Sequence, residues 1–246
     1  VLPDLTLDRA EVPAPTVCGG CDLGSICLCS APPVGERMQL SGSSSRPRRL
    51  CPGEYLYRAG DQFRCFYAIN SGDAKMFAHN SRGEERVVDF RMSGEALGLE
   101  ALSSGVHAVS ATALTETTVC QIAMTNFNRV ADGAPEMQRQ LLALLSQDVA
   151  THHHWLITQN QRAIRRVASF LVDIRRKLRA RDMDDCRISL PMSRADIGSY
   201  LNLAHETVTR TLSELDNDGL IRSRRRNIVI LEPAQLATIA GHDALR

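Results

Sequence analysis

Residues 192–233 read MSRADIGSYLNLAHETVTRTLSELDNDGLIRSRRRNIVILEP, and their spacing decides the C-terminal fold. Ser193 followed three residues on by Asp196 is a capping-box start, in which hydroxyl and carboxylate each satisfy a backbone amide that the first helical turn leaves unpaired. Ile197 and Leu201 give this first run its buried side, and Asn202-Leu203-Ala204 makes the turn. In the second run Val208, Leu212 and Leu215 recur at i, i+4 and i+7, while Glu206, Thr209, Arg210 and Ser213 share the opposite face. Asp218-Gly219 stops it, and LIRS and NIVIL flank Arg224, Arg225 and Arg226 as a β-wing. The pattern predicts a winged helix-turn-helix.

The polar face of the second helix has the chemistry of a base reader. Arginine can donate two hydrogen bonds to guanine, glutamate can accept from the cytosine amino group, and a threonine methyl can pack on a thymine methyl. Such residues near the start of a second helix are the ones that reach base edges. The wing arginines suit phosphates, which position without specifying. An ordinary solvated face would carry similar charges, but not alongside a capped first helix, a tight turn, an apolar back face and a basic wing. Glu206, Thr209, Arg210 and Ser213, with Arg224, Arg225 and Arg226, are therefore the expected contacts to double-stranded DNA.

Upstream, residues 162–179 carry Val167, Phe170, Leu171, Ile174 and Leu178 on one face and arginines on the other, a second amphipathic helix. Before it, a helical segment runs roughly from Pro135 to Gln159, and Leu142, Leu145, Val149, His152, Leu156, Gln159 and Ala163 alternate at spacings of three and four, a heptad seam. Two copies could meet along it, or the helix could lie on its own barrel; periodicity leaves both open. Polar His152 and Gln159 would trade stability for register or for reversible association.

From Arg49 to about Val130 the chain is a series of short β-like runs, EYLYRAGD, CFYAINSGDAKMFAHNSRGEERVVDF, ALGLEAL and HAVSATALTETTVCQIA. Ser71-Gly72-Asp73 and Asn80-Ser81-Arg82-Gly83 sit where hairpin turns belong. This indicates an antiparallel barrel or roll. Residues up to about Ser45 are rich in Pro, Gly, Ser and Cys without a hydrophobic period, an arm ordered only where something ties it down. The expected organisation is an α+β chain with an arm over 1–45, a β-roll over 46–133, a dimerisation helix over 134–161 and a winged helix-turn-helix over 162–246.

Bulk properties agree with a globular chain: 43% of the 246 residues are hydrophobic. The net charge is only +1, but it is unevenly spread. From Gln161 onward 16 Arg and Lys face 11 Asp and Glu, against 13 and 17 before it, so a basic partner surface belongs to the C-terminal third. No run is long and apolar enough to span a bilayer, and the start shows no signal-peptide pattern, so a cytoplasmic protein without membrane attachment is expected.

The arm holds CGGCDLGSICLC at 18–29, four of the eight cysteines. In a reducing compartment, clustered cysteines more often hold metal or do redox work than form structural disulfides. Four thiolates can hold a [4Fe–4S] cube, one per iron, or a tetrahedral zinc, or remain free. Cys29 follows Cys27 so closely that this pair would strain to cap two irons. Cys51, Cys65 and Cys186 read as semi-buried small residues.

Barrel, long helix and winged helix-turn-helix, in that order, resemble the CRP/FNR superfamily of bacterial transcription regulators over residues 46–241. The resemblance implies a cyclic-nucleotide-binding-like jelly roll as the sensor. DIGSYLNLAHETVTRTL is similar to the recognition motif of the FNR (fumarate and nitrate reduction) branch, whose E-x-x-S-R pattern falls on Glu206, Thr209 and Arg210. Thr209 departs from it, keeping the hydroxyl and adding a methyl. The implied target is a two-fold TTGAT…ATCAA site, bound by a homodimer that contacts RNA polymerase, for which AHNSRGEER (78–86) is the candidate loop. The branch also carries Cys-x2-Cys-x5-Cys near its N-terminus and a distant barrel cysteine, which together hold a [4Fe–4S] cluster. Cys18, Cys21 and Cys27 fit that spacing and Cys120 matches the distant position. The resemblance thus implies an oxygen-responsive regulator, dimeric with its cluster under low oxygen and dismantled when oxygen destroys it.

Other functions have weaker support. Cyclic-nucleotide receptors resemble GE-x-G-x…R-[ST]-A in their phosphate cassette; here GEALGLEALSSGVHAVSA keeps Gly94, Glu95 and Gly98 but has His107 to Val109 where the arginine pair would sit, a poor phosphodiester site. His152, His153 and His154 point about 100° apart on a helix and cannot ligate one haem iron together. No H-E-x-x-H, G-x-S-x-G, Walker A or G-x-G-x-x-G pattern occurs, so an enzyme is not expected. A dimeric scaffold would leave the polar recognition face unexplained.

Overall fold

The computed structural model describes residues 47–125, 128 and 135–241. Strands β1 (Arg48–Leu50), β2 (Tyr55–Tyr57), β3 (Cys65–Ser71), β4 (Asp73–His79), β5 (Glu85–Met92), β6 (Ala96–Leu97), β7 (Ser110–Ala113) and β8 (Thr117–Ala123) form two antiparallel sheets. Their orders are β1-β8-β3-β6 and β2-β7-β4-β5. Side chains from both sheets, among them Leu50, Tyr57, Ile69, Met76, Leu97, Ala111 and Val119, close a common core, which makes the unit a roll. The alternation of β3 explains its two faces: Tyr67 and Ile69 enter that core, while Phe66 and Ala68 join Leu99 and Ile122 in a second one. The β3–β4 turn requires Gly72: its φ is +86°, and a Cβ there would lie 2.4 Å from the Glu116 carbonyl oxygen.

The expected β-runs are present with two refinements. ALGLEAL yields only the two-residue β6 before a 3-10 turn at Leu99–Ala101, and HAVSATALTETTVCQIA breaks into β7 and β8.

Helix α1 (Pro135–Thr158) is followed by α2 (Ala163–Arg179), β9 (Arg187–Ser189), α3 (Arg194–Leu201), α4 (His205–Asn217), β10 (Ile221–Arg224), β11 (Asn227–Ile230) and α5 (Pro233–Ala240). Val167, Phe170, Leu171, Ile174 and Leu178 are the buried face of α2, as their spacing predicts. They share one core with Ile197, Val208, Leu212, Leu215, Ile221, Ile228 and Leu236. The wing is a three-stranded sheet, β10-β11-β9, rather than a lone hairpin. Strand β9 offers only one buried residue, Ile188, too short a run to announce itself by alternation. Val87 and Phe90 of β5 belong to the same core, so the roll and the C-terminal helices are packed together. No helix among the described residues is long and apolar enough to cross a membrane.

Candidate nucleic-acid interface

Helix α3 begins with the expected capping box. Ser193 Oγ accepts from the Asp196 amide at 3.0 Å, and Asp196 Oδ2 accepts from the Ser193 amide at 2.9 Å. Burial alone would raise the Asp196 carboxyl, but hydrogen bonds from Lys75 and Ser193 hold it below the usual carboxylate range. The turn reverses through Asn202, left-handed at φ 55°. It passes so close to α3 that a Cβ on Gly198 would lie 2.6 Å from the Leu203 carbonyl oxygen. A glycine inside a helical pattern is the sequence signal for such a close approach.

Helix α4 buries Val208, Leu212 and Leu215 and exposes Glu206, Thr209, Arg210 and Ser213, as the spacing predicts. The hydroxyls of Thr209 and Ser213 donate to carbonyls one turn back, of His205 and Thr209, at 3.0 and 3.1 Å. Their acceptor lone pairs remain outward. Arg224, Arg225 and Arg226 are all exposed at the β10–β11 turn, where Arg225 takes a left-handed φ of 53°. Arginine there is less comfortable than glycine or asparagine. Arg194 Nη2 donates to the Arg225 carbonyl at 2.6 Å and fastens the turn to the start of α3, a contact no sequence signal announced.

Along α1 the seam residues divide. Leu142, Val149 and Leu156, seven apart, are 65%, 53% and 57% exposed and form an open apolar stripe. His152 is exposed between them, its Nδ1 2.7 Å from the Asp148 carbonyl oxygen. Leu145, expected on the seam, is half-buried and packs with Leu141 and Leu144 on the roll's second core. Gln159 lies just beyond the last helical residue, its amide donating to the Trp155 carbonyl. Of the two arrangements that periodicity left open, the chain shows packing on its own roll along one side of α1, with an adjacent stripe left exposed.

Of the expected metal ligands, Cys18, Cys21 and Cys27 lie outside the described residues, as does Cys29. Cys120 is on β8 opposite Ala68. It is half-buried and packs on the same core as Leu141, Leu144 and Leu145 of α1. A half-buried thiol on a strand of the roll suits one ligand position of a thiolate-bound metal group. Cys51 is exposed and Cys65 buried, so only Cys186 is the half-buried small residue all three were expected to be.

A cavity of about 480 Å³ lies between the roll and α1, lined among others by Met76, Val87, Leu99, Leu145, Val149 and Trp155. The two arginines that border it are engaged: Arg91 by Asp89 and Asp148, and Arg86 Nη1 with Asn202 Oδ1 at 3.0 Å. His107, where nucleotide receptors place arginine, is buried, stacked on Tyr57 with ring centroids 3.9 Å apart and 3.0 Å from Glu100 Oε1. It is a packed residue of the roll.

Comparison with known proteins matches both halves of the chain. Residues 47–133 match the cyclic nucleotide-binding domain family and residues 165–239 the Crp-like helix-turn-helix domain family. The transcriptional activator protein Anr of Pseudomonas protegens is 34% identical over 225 residues, spanning 91% of this chain and 92% of that one. The fumarate and nitrate reduction regulatory protein of Escherichia coli K12 is 29% identical over 226 residues, 92% of this chain and 90% of its own. Among solved structures, FixK2 from Bradyrhizobium japonicum superposes with a TM-score of 0.72 at 27% identity, covering 79% of this chain and 96% of that one.

Proposed function

This chain belongs to the CRP/FNR family of transcription regulators, and we propose that within it the chain is an oxygen-responsive activator that binds two-fold DNA sites as a homodimer in the cytoplasm. The observation that carries the reading is the setting of Cys120, half-buried on β8 and packed on the same small core as Leu141, Leu144 and Leu145 of the seam helix. Cys18, Cys21, Cys27 and Cys120 would hold a [4Fe–4S] cluster, which when bound supplies an oxygen-labile tie between the arm and β8.

The rest is done by the chain. Leu141, Leu144 and Leu145 seat α1 on the roll, and Leu142, Val149 and Leu156 face a second copy. Association then presents two readers, and the second half-site contact becomes effectively intramolecular. Glu206, Thr209, Arg210 and Ser213 read bases of a TTGAT-type half-site, while Arg224, Arg225 and Arg226 neutralise phosphates. The relatives' name as activators and the exposed β4–β5 turn, braced by Asn80 Oδ1 accepting from the Arg82 and Glu84 amides, support RNA polymerase contact through residues 78–86.

Anaerobic reconstitution with iron and sulfide tests the reading. About four iron and four sulfide per chain, lost in air together with dimer mass and two-fold-site binding, is the expected result. Cys120→Ser should remain folded and stay colourless. Protein that binds zinc alone, or that binds DNA equally before and after air, sinks it.

A further inference from the structure

Strand β5 is an outer strand of its sheet, so one side of its backbone has no strand partner. Helix α3 covers that edge. The Val87 amide donates to Ser199 Oγ at 2.9 Å, and Ser199 Oγ donates to the Glu85 carbonyl at 3.2 Å. One hydroxyl thus fills both places that a neighbouring strand would take. Beside it Lys75 Nζ on β4 bridges Glu85 Oε1 at 2.6 Å and Asp196 Oδ1 at 2.8 Å, and Asp196 is the capping-box residue of α3. Arg86 reaches Asn202 at the far end of the same helix. Beneath this polar line the Phe90 ring packs on Tyr200 and Phe170, with centroids 5.3 and 6.1 Å away. Trp155 Nε1 of the seam helix donates to the Tyr200 carbonyl at 3.1 Å.

The reader is therefore held at both ends and along its base, by the sensor's edge strand and by the seam helix. The docked arrangement leaves Glu206, Thr209, Arg210 and Ser213 exposed, so the contact does not mask the reading face. Two readers on one duplex must match a half-site spacing of one helical turn, about 34 Å. A reader on a loose hinge would have to be ordered at the moment of binding, at a cost in affinity.

We propose that Ser199 and Lys75 are positioning residues, which lock the helix-turn-helix onto the edge of β5 and so set the separation of the two recognition helices. The proposal rests on the dimeric two-fold reading above. The roll then orients the reader directly, through β5, as well as through the seam.

The test uses full-length protein, reconstituted anaerobically, as wild type, Ser199→Ala, Ser199→Thr and Lys75→Met. Each is titrated against a two-fold TTGAT site, the same site with one extra central base pair, and a single half-site. Ser199→Ala and Lys75→Met should lose roughly tenfold on the two-fold site, keep wild-type half-site affinity, and discriminate less against the lengthened spacer. Ser199→Thr should restore both, because it keeps the hydroxyl. Amide exchange at Val87 should quicken in Ser199→Ala and not in Ser199→Thr. Unchanged spacer discrimination in Ser199→Ala, with faster exchange at Val87, overturns the proposal, as does tighter two-fold binding, which would make the contact a restraint. Equal loss on the half-site overturns it too, since the reader itself would be damaged. Wild type that binds half-site and two-fold site alike would instead sink the two-fold reading, and the proposal with it.

Discussion

The Arg91 guanidinium grips the Asp148 carboxylate at two points, Nη1 to Oδ1 at 3.0 Å and Nη2 to Oδ2 at 2.9 Å, and so ties strand β5 to the helix that carries the apolar stripe. Asp148 immediately precedes Val149, one of the three open stripe residues. The same guanidinium lies 2.8 Å from Asp89, and Arg91 and Asp89 are both buried. Burial alone would raise the Asp89 carboxyl, but the charges of Arg91 and Lys177 override it and hold it below the usual carboxylate range. A planar fork bonded to two carboxylates is a directional joint that lysine could not replace.

Arg91→Met should be strongly destabilising, by about 3–5 kcal/mol, because it leaves Asp89 charged and buried without its partner. Urea denaturation measures it. The double variant Arg91→Met with Asp89→Asn should recover part of the loss, since removing both charges also removes the unpaired one. A single variant as stable as wild type would show that the joint contributes little.

The same pair sets an acid limit. Because the folded Asp89 value is depressed, its stabilisation is fully present above the unfolded value of about 3.9 and is lost as the pH falls through the lower folded value. Asp196, depressed by its bonds to Lys75 and Ser193, acts in the same direction. Denaturant midpoints should therefore hold steady down to about pH 4 and fall below it. In Asp89→Asn the slope below that point should be shallower. Equal slopes would remove Asp89 from the account.

Val149→Asp should leave the single chain folded, because Val149 is more than half exposed and such surface changes usually stay within about 0.5 kcal/mol. Across a two-copy seam it would set like charges together. Cluster-loaded variant should sediment at monomer mass with wild-type circular dichroism, and lose at least about 100-fold on a two-fold site. Retention of wild-type mass would place the contact between copies elsewhere.

The two classes of arginine should fail differently on DNA. Arg210→Ala should cost about 1–3 kcal/mol per half-site and relax discrimination at one base position. Arg225→Ala should weaken every sequence alike and lower the salt slope by roughly one. Competition titrations at several salt concentrations separate them. A uniform loss in Arg210→Ala would demote it to a phosphate contact.

What the sequence determined by itself is what hydrogen bonding and periodicity encode over a few residues. The Ser193–Asp196 box, the two faces of α4, the stop at Gly219 and the buried row of α2 were all legible, because each is a repeat of 3.6 residues or a cap within one turn. The exposed stripe Leu142, Val149 and Leu156 was legible too, but Leu145 in the same heptad pattern was not separable from it. Only the roll lying against one side of α1 decides which leucine is free. His107 reads as a missing phosphate ligand and becomes a packed residue only beside Tyr57. Ser199, Lys75, Arg91 and Asp148 look like ordinary surface residues in the chain. Tertiary structure makes them joints, because hydrogen bonds between residues some tens to more than a hundred positions apart depend on where the sheets and helices come to rest, and no local pattern records that.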